Sequence, residues 1–412
     1  MKQESALFEC EFTETKGRTL RMKSNVKIRD VLFTGSLLHK VNENVQSPLY
    51  KEIFRLYHLS NGSTLDYEAM WYWCGLNSLS YPISEYLTTV SKDQARQLKM
   101  LHHPSTSTPS DTVRRIGKVI APFMNRPLTD SDLSEIEKMT IIWTLNCFEH
   151  GDSPLCYAIF FLPSFMSHAC CPNAMWTTTG VDQFVIRALR DINIGEELTV
   201  SYLTEEFGLC PISMRRAYLE STKFFTCDCL RCVSDIDDTR EFRPHRIEEL
   251  PALLDLETRL VALILRYNGP DSELEGVFPS KTDPALFPSR EAADELEEMI
   301  VRIGPAHWTA MRGWLQLTEY YKSHSEYSKA IYFLRLRIES RRKYFSNLAA
   351  PEVSPSLAWA LEDLAELILL QDPKSEEIVK LLNESFAILE SLFGPHHEYT
   401  VPVKQKLDNF RE

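Results

Sequence analysis

The sequence predicts an α+β protein, with a β-rich first half interrupted by helices and an all-α second half. Three observations carry this reading. Short β-prone runs cluster at residues 1–45 and 155–202. Three cysteines fall within six residues, in "CDCLRC" at 227–232. From about residue 245 onward, apolar residues recur at helical spacing in one segment after another.

The elements follow in order. Strands are expected at Ala6, Leu7, Phe8 and at Val31, Leu32, Phe33, with turns at Lys16-Gly17, Ser24-Asn25 and Thr34-Gly35. Residues 46–100 read as mixed and mostly helical, with an aromatic cluster at Met70, Trp71, Tyr72 and Trp73. "HHPSTSTPSD" (102–111) has no periodicity and reads as an exposed loop. Asp130, Ser131 and Asp132 read as a cap ahead of a helix bearing Leu133, Ile136 and Met139. Residues 157–161 read as a buried strand, and 183–188 and 197–202 as two more around the turn at Asn193, Ile194 and Gly195. A polar helix, "SMRRAYLEST", leads to the cysteines.

In the second half, Trp308, Met311 and Leu315 share one helical face, and Ala330, Ile331, Leu334 and Ile338 share another. Leu361, Leu364 and Leu367, then Leu381, Leu382, Phe386 and Leu389, continue the series. "IGPAHW" (303–308) and "FGPHHE" (393–398) echo each other at helix ends, which suggests helical hairpins stacked as a small superhelix.

Bulk properties narrow the function. A chain of 412 residues has room for two or three domains, and 44% hydrophobic with 25% charged residues is ordinary for a soluble protein. The net charge is −13, with most of the acidic excess after Cys232. That balance argues against direct nucleic-acid binding, which neutralises phosphates with Lys and Arg, and suits a basic protein partner. The apolar run from Leu155 to Leu162 is far too short to span a bilayer, so no membrane role is expected. The first residues lack a signal-peptide pattern. The expectation is an intracellular protein, cytoplasmic or nuclear, whose ten cysteines are thiols or metal ligands before disulfides.

Cys227, Cys229 and Cys232 offer three thiolates, while structural Zn²⁺ takes four tetrahedral ligands. Cys170 or Cys171, in "FMSHACCPNA" (165–174), is the natural donor of the fourth. The plainer alternative is a set of unrelated buried thiols. A complete site would contribute folding energy on the order of 10 kcal/mol.

Ser-His-Ala-Cys-Cys-Pro-Asn (167–173) resembles the Asn-His-Ser-Cys-x-Pro-Asn signature of SET-domain lysine methyltransferases. "RALRDINIGEELTVSY" (187–202) and then Cys-x-Cys-x-x-Cys follow it, as in that family. "KGRTLR" (16–21) resembles the family's N-terminal Gly-x-Gly turn. The helical second half resembles the tetratricopeptide-like (TPR-like) tail of the SET-and-MYND (SMYD) branch. The likeness rests on motifs over 5–41 and 140–233, and on pattern alone over 290–412. The branch's MYND zinc finger has no counterpart, because residues 42–140 hold a single cysteine, Cys74.

The resemblance implies a SET β-fold with a helical insertion, a post-SET zinc site and an all-α TPR-like domain. Its divisions would be 1–41 (N-terminal part of SET), 42–140 (insertion), 141–205 (catalytic SET core), 206–240 (post-SET zinc segment) and 241–412 (helical domain). It implies an S-adenosylmethionine-dependent protein lysine N-methyltransferase, monomeric, acting on a basic, lysine-containing protein or peptide. Tyr202 matches the catalytic tyrosine, and Phe148 the wall of the lysine channel. Gly17, Arg18, Leu20, Asn146, Ser167, His168, Tyr202 and Phe225 match the cofactor-binding positions. Cys170, Cys227, Cys229 and Cys232 match the zinc ligands, Cys171 falling at a variable position. Asn173 matches a structural residue at a crossing of two segments.

Each match has a plainer counterpart: Tyr202 as a core tyrosine, Asn146 as a helix-end residue, Gly17 as a turn with no ligand. Four positions depart from the family pattern. Ser167 replaces Asn, Ala169 replaces Ser, Thr19 replaces the second Gly, and Lys223 replaces an aromatic. A lost hydrogen bond to a charged ligand costs roughly 1.5–3 kcal/mol, about ten- to hundredfold in affinity. The departures motivate a second reading: a SET scaffold that no longer methylates lysine, serving as a binding module or acting on a small molecule in the cleft beside the helical domain.

Overall fold

The computed structural model describes residues 7–14, 16–42, 51, 55, 92–104, 109–121, 127–152, 155–179, 183–234, 250–267, 289–305, 307–347 and 354–410. The aromatic cluster expected at Met70 to Trp73 lies outside them.

β1 (Phe8–Thr13) and β2 (Gly17–Met22) form an antiparallel hairpin that pairs Thr13 with Gly17. Gly17 has φ +71°, a conformation that glycine reaches without a Cβ penalty. β3 (Val31–Asn42) is the central strand of a five-stranded sheet in the order β4-β5-β3-β8-β7. The others are β4 (Cys147–Asp152), β5 (Leu155–Phe160), β7 (Ala174–Thr179) and β8 (Gln183–Ala188). The first half of β3 pairs with β8 and its second half with β5.

The turn expected at Thr34-Gly35 is corrected: β3 runs straight through both residues. Gly35 serves close packing instead, since a Cβ there would lie 3.0 Å from Pro163 Cγ. The strand expected over 197–202 is also shorter than its composition suggests. Only β9 (Thr199–Val200) is a strand, paired in parallel with β6 (Ser167–His168). Its approach is stitched to β2 on the other side, by an Arg21–Glu197 bridge and by Leu198 N donating to Leu20 O at 2.7 Å. The segment 197–200 therefore runs between β2 and β6.

Asn173 fastens the crossing of 165–174 over this segment. Its Nδ2 donates to Glu197 O at 2.8 Å, and its Oδ1 accepts from Thr199 N at 2.8 Å. The residue is 2% exposed, so neither backbone group has water as a substitute.

Three described helices precede β4: α1 (Lys92–Met100), α2 (Asp111–Ile120) and α3 (Asp130–Asn146). The cap of α3 is Thr129 rather than Asp130, with Asp132 completing a reciprocal capping box. Within the expected 102–111 loop, residues 105–108 lie outside the described set, and Ser110 caps α2. Three short elements follow β9: α4 (Glu205–Gly208), α5 (Ile212–Lys223) and α6 (Leu230–Val233).

The remainder is helical: α7 (Leu250–Tyr267), α8 (Arg290–Ile303), α9 (Trp308–Ser323), α10 (Tyr327–Asn347), α11 (Pro355–Gln371), α12 (Glu376–Phe393) and α13 (Thr400–Asn409). The two echoing motifs end α8 and α12 in the same way. Gly304 and Gly394 sit at φ +95° and +94°, and each donates its N–H back to the carbonyl four residues earlier.

Three cores result. One joins the sheet to α3 through Leu20, Trp143, Phe160 and Phe184. One fills the helical half. A smaller one lies between them and gathers Cys170, Leu203, Phe207, Leu219, Cys227 and Cys232 around Trp308. Polar ties reinforce this junction. Glu205 accepts from Arg341 Nη2 at 3.1 Å and from the Ser356 hydroxyl, and Arg187 Nη2 donates to Phe393 O at 3.4 Å.

Two outcomes are expected. Asn173→Ala leaves Glu197 O and Thr199 N unpaired in the interior and should destabilise the chain by about 2–4 kcal/mol, measured by urea unfolding. Burial pushes His39 and His307 down to about 4 from an ordinary 6.5. Their folded pKa values lie below the unfolded ones, so the unfolded chain takes up these protons first. The stability they contribute is complete above about pH 6.5 and falls away as pH drops towards 4, by roughly 3 kcal/mol each. Thermal melts across that window check the sign.

Candidate functional site

The crossing delivers several site residues to one place. β6 carries His168 in beside β9, and the chain leaving β9 carries Tyr202. Tyr202 N donates to His168 Nδ1 at 2.9 Å, which fixes Nδ1 as the ring's lone-pair nitrogen. His168 Nε2 then faces Cys170 Sγ at 3.4 Å. Burial holds the ring well below its ordinary value, at about 4, so the imidazole is neutral.

Tyr202 O–H donates to Met166 O at 2.5 Å. Burial, with the Glu197 carboxylate as a lesser cause, raises this phenol above its ordinary value. The group is thus a neutral hydroxyl that shares its proton with a main-chain carbonyl. Phe225 closes the group edge-on, with its ring centroid 6.3 Å from Tyr202 and 6.0 Å from His168. It can do so because Phe224, the residue after α5, adopts a left-handed conformation (φ +61°) that turns the chain.

The remaining expected site residues divide. Arg18 donates Nη1 to Met100 O, and its guanidinium lies 5.5 Å from the Phe165 ring centroid. Asn146 is the last residue of α3, and its amide donates to Ile142 O at 2.8 Å and to His102 O at 3.0 Å. These bonds suit the helix-end role, one of the two roles that the sequence left open. Leu20 is fully buried, so its side chain belongs to the core rather than to a ligand surface. Phe148 packs against Phe160, Trp176 and Phe184 in the sheet's aromatic cluster. Ser167 is half-buried on β6. Gly17 has open space on its Cα, with no heavy atom within 4 Å of where a Cβ would stand. Thr19, in contrast, is 1% exposed, and its hydroxyl has no partner among the described residues. Lys223 donates to Thr144 O at 3.1 Å, so its ammonium is engaged at the end of α3.

Cys170, Cys227, Cys229 and Cys232 bring their sulfurs within 4.8 Å of one another. Cys170 Sγ lies 3.5 Å from Cys232 Sγ and 3.9 Å from Cys227 Sγ. A tetrahedron of sulfurs at ~2.3 Å from Zn²⁺ has edges of about 3.8 Å. Cys171 is outside this group. Arginines surround it, and sequence reasoning missed them. Arg215 is fully buried and reaches Cys170 Sγ at 3.4 Å and Cys232 Sγ at 3.5 Å. Arg216 Nε donates to Cys227 O at 2.9 Å, and Arg231 Nη1 to Cys170 O at 3.2 Å. Arg215 Nη1 also donates to Cys210 O, and a buried guanidinium of this kind is suited to negative partners such as metal-bound thiolates would be. The only sequence signal was the "MRR" run in an otherwise polar helix.

Comparison with known proteins gives the same frame. The family model described as "SET domain" matches residues 17–203. The Drosophila melanogaster SET domain-containing protein SmydA-8, isoform A, is 33% identical over 29% of this chain and 26% of its own length. The Arabidopsis thaliana histone-lysine N-methyltransferase ATXR2 is 37% identical over 26% of this chain and 23% of its own. The Xenopus laevis N-lysine methyltransferase SMYD2-A is 25% identical over 61% of this chain and 55% of its own. The chain spans about half the length, or less, of these curated relatives. No described helix is long and apolar enough to cross a membrane. Residues 17–203 thus match the SET domain, and over part of its length the chain is similar to proteins of the SMYD kind.

Proposed function

We propose that the chain is an S-adenosylmethionine-dependent protein lysine N-methyltransferase with a structural zinc ion. The observation that carries the reading is Tyr202: a neutral hydroxyl held on Met166 O, walled by His168 and Phe225, at the end of the GEELTVSY segment.

The residues present suit the donor. Gly17 leaves open space beside its backbone, Phe225 offers a half-buried aromatic face, and Thr19 an unpartnered buried hydroxyl nearby on β2. Gly17, Arg18, Ser167, His168, Asn146 and Phe225 would hold it, and it would supply an electrophilic methyl group. The chain's own residues then have three tasks. The Tyr202 oxygen and Met166 O form an oxygen pair that orients the incoming amine. The neutral His168 adds no charge to repel a lysine. The aromatic walls strip water, which favours the uncharged amine over the ammonium (ordinary pKa ~10.4). Tyr202 itself, raised rather than lowered, does not serve as the base.

Cys170, Cys227, Cys229 and Cys232 would hold the zinc. Four thiolates on Zn²⁺ carry excess negative charge, and Arg215 offsets part of it. The ion would clamp the post-SET segment against 165–174 and so set Phe225 beside Tyr202.

The second reading, a scaffold without methyl transfer, draws on one observation. Arg18 and Asn146 already spend donors on Met100 O and His102 O.

One experiment separates the two. S-adenosylmethionine is titrated calorimetrically into zinc-loaded protein and into Tyr202→Phe, with radiolabelled transfer to lysine peptides alongside. The methyltransferase reading expects both proteins to bind within about threefold of each other, and transfer by the variant to fall roughly a hundredfold. Absence of binding to folded wild-type protein would favour the scaffold. For the metal, purified protein should contain one zinc per chain, and Cys227→Ser should lose it. The loss should cost stability on the order of 10 kcal/mol, enough to abolish a cooperative melt.

A further inference from the structure

Among the described residues, Arg215 is the charged side chain shut furthest from solvent, at 0% exposure. Its guanidinium spends all three nitrogens inside the protein. Nε donates to Cys170 Sγ at 3.4 Å, Nη2 to Cys232 Sγ at 3.5 Å, and Nη1 to Cys210 O at 2.6 Å. Two of the three bonds therefore end on sulfurs of the four-cysteine cluster. Taking a cation out of water is costly unless negative groups meet it.

These bonds divide the four sulfurs into two pairs. Cys170 and Cys232 accept from the guanidinium. Cys170 also meets a second donor. Tyr202 N occupies His168 Nδ1, so the ring carries its proton on Nε2, which faces Cys170 Sγ at 3.4 Å. Cys229 Sγ accepts the Cys170 N–H at 3.4 Å, and Cys227 Sγ accepts the Cys229 N–H. The donors to this second pair are neutral amides. A hydrogen bond from an ionised donor is roughly twice as strong as one from a neutral donor. It also withdraws sulfur electron density that an electrophile would otherwise attack, and the thiolate is the reactive form of cysteine.

We propose that Arg215 is the fixed counter-cation of the metal centre, and that its N–H groups make Cys170 and Cys232 the unreactive thiolates and leave Cys227 and Cys229 as the reactive ones. The inference rests on the zinc reading and adds to it how the site keeps its metal. The unreactive pair includes Cys170, the sulfur that His168 touches. Metal loss therefore does not begin at the sulfur joined to Tyr202 through a single imidazole. Exposure alone predicts a different order. Cys170 is 8% exposed and Cys227 2%, so access would make Cys170 the faster of the two.

The test treats full-length, zinc-loaded protein with less than one equivalent of iodoacetamide and maps the singly modified chains by peptide mass spectrometry. In each event a thiolate sulfur displaces iodide, and the new carbon–sulfur bond leaves a neutral thioether, a poor ligand for zinc. Wild-type protein should carry about tenfold less label on Cys170 than on Cys227. Arg215→Met should bring the two within about twofold and release zinc to a chromogenic chelator about tenfold faster after alkylation. Arg215→Lys keeps the charge without the planar fork and should fall between. Cobalt-loaded protein gives a readout that a merely structural role would not move. The sulfur-to-cobalt charge-transfer band should shift to lower energy in Arg215→Met, because sulfur lone pairs freed of a cationic donor lie higher. Arg216→Gln alters a guanidinium that meets the carbonyls of Cys227 and Cys232, and it should leave the band in place. If Arg215→Met does not fold, the wild-type label ratio and Arg215→Lys decide the matter. Labelling of Cys170 equal to or above that of Cys227 in wild-type protein overturns the proposal. So does an unchanged ratio in the folded Arg215 variants, or the same band shift in the Arg215 and Arg216 variants. Folded wild-type protein that takes up no zinc sinks the zinc reading, and this inference with it.

Discussion

The crossing of residues 165–174 over 197–202 is the constraint on which the rest depends. Asn173 ties the crossing at one end with hydrogen bonds to Glu197 O and from Thr199 N. His168 ties it at the other, taking the Tyr202 N–H on one ring nitrogen and facing Cys170 with the other. Between these two side chains, the parallel β6–β9 pair contributes only two residue pairs. So short a ladder has little stability of its own, and side-chain bonds fix its register. That register decides where the Tyr202 hydroxyl lies and which way Cys170 faces. One local geometry thus governs both the candidate reaction centre and the candidate metal centre.

The junction with the helical half follows from the same place. Cys170 belongs to a small apolar core shared with Trp308, the first residue of α9. Trp308 Nε1 donates to Glu257 at 2.9 Å, which extends the contact into α7. Glu205, just past Tyr202, receives Arg341 and Ser356 from two further helical positions. The helical half therefore packs onto the elements that shape the site, and not only onto the outer sheet.

Much of this was legible in the sequence, because the chemistry was local. Three cysteines in six residues announce a cluster whatever the fold, and Cys170 is the partner the structure brings to it. The two Gly-Pro motifs predicted helix ends, and Gly304 and Gly394 stop their helices with matching backbone angles. What stayed hidden depends on partners far along the chain. Thr34-Gly35 reads as a turn until Pro163 is seen pressing on Gly35. The strand expected at 197–202 has the right composition, but only Thr199 and Val200 form a ladder, with Glu197 making an isolated bridge to Arg21. Leu20 sits in a motif that resembles a cofactor turn, yet strand alternation points it into the core. Arg215 is a charged residue on a polar helix, and nothing nearby in sequence says that its guanidinium ends among sulfurs.

The four cysteines differ in exposure and in surroundings. Cys170, Cys227 and Cys232 are 8%, 2% and 4% exposed, whereas Cys229 is of intermediate exposure. Arg215 reaches the sulfurs of Cys170 and Cys232, while Cys229 Sγ accepts the Cys170 N–H at 3.4 Å. The cluster is therefore lopsided in charge, with a cation along one edge and a neutral amide at another corner.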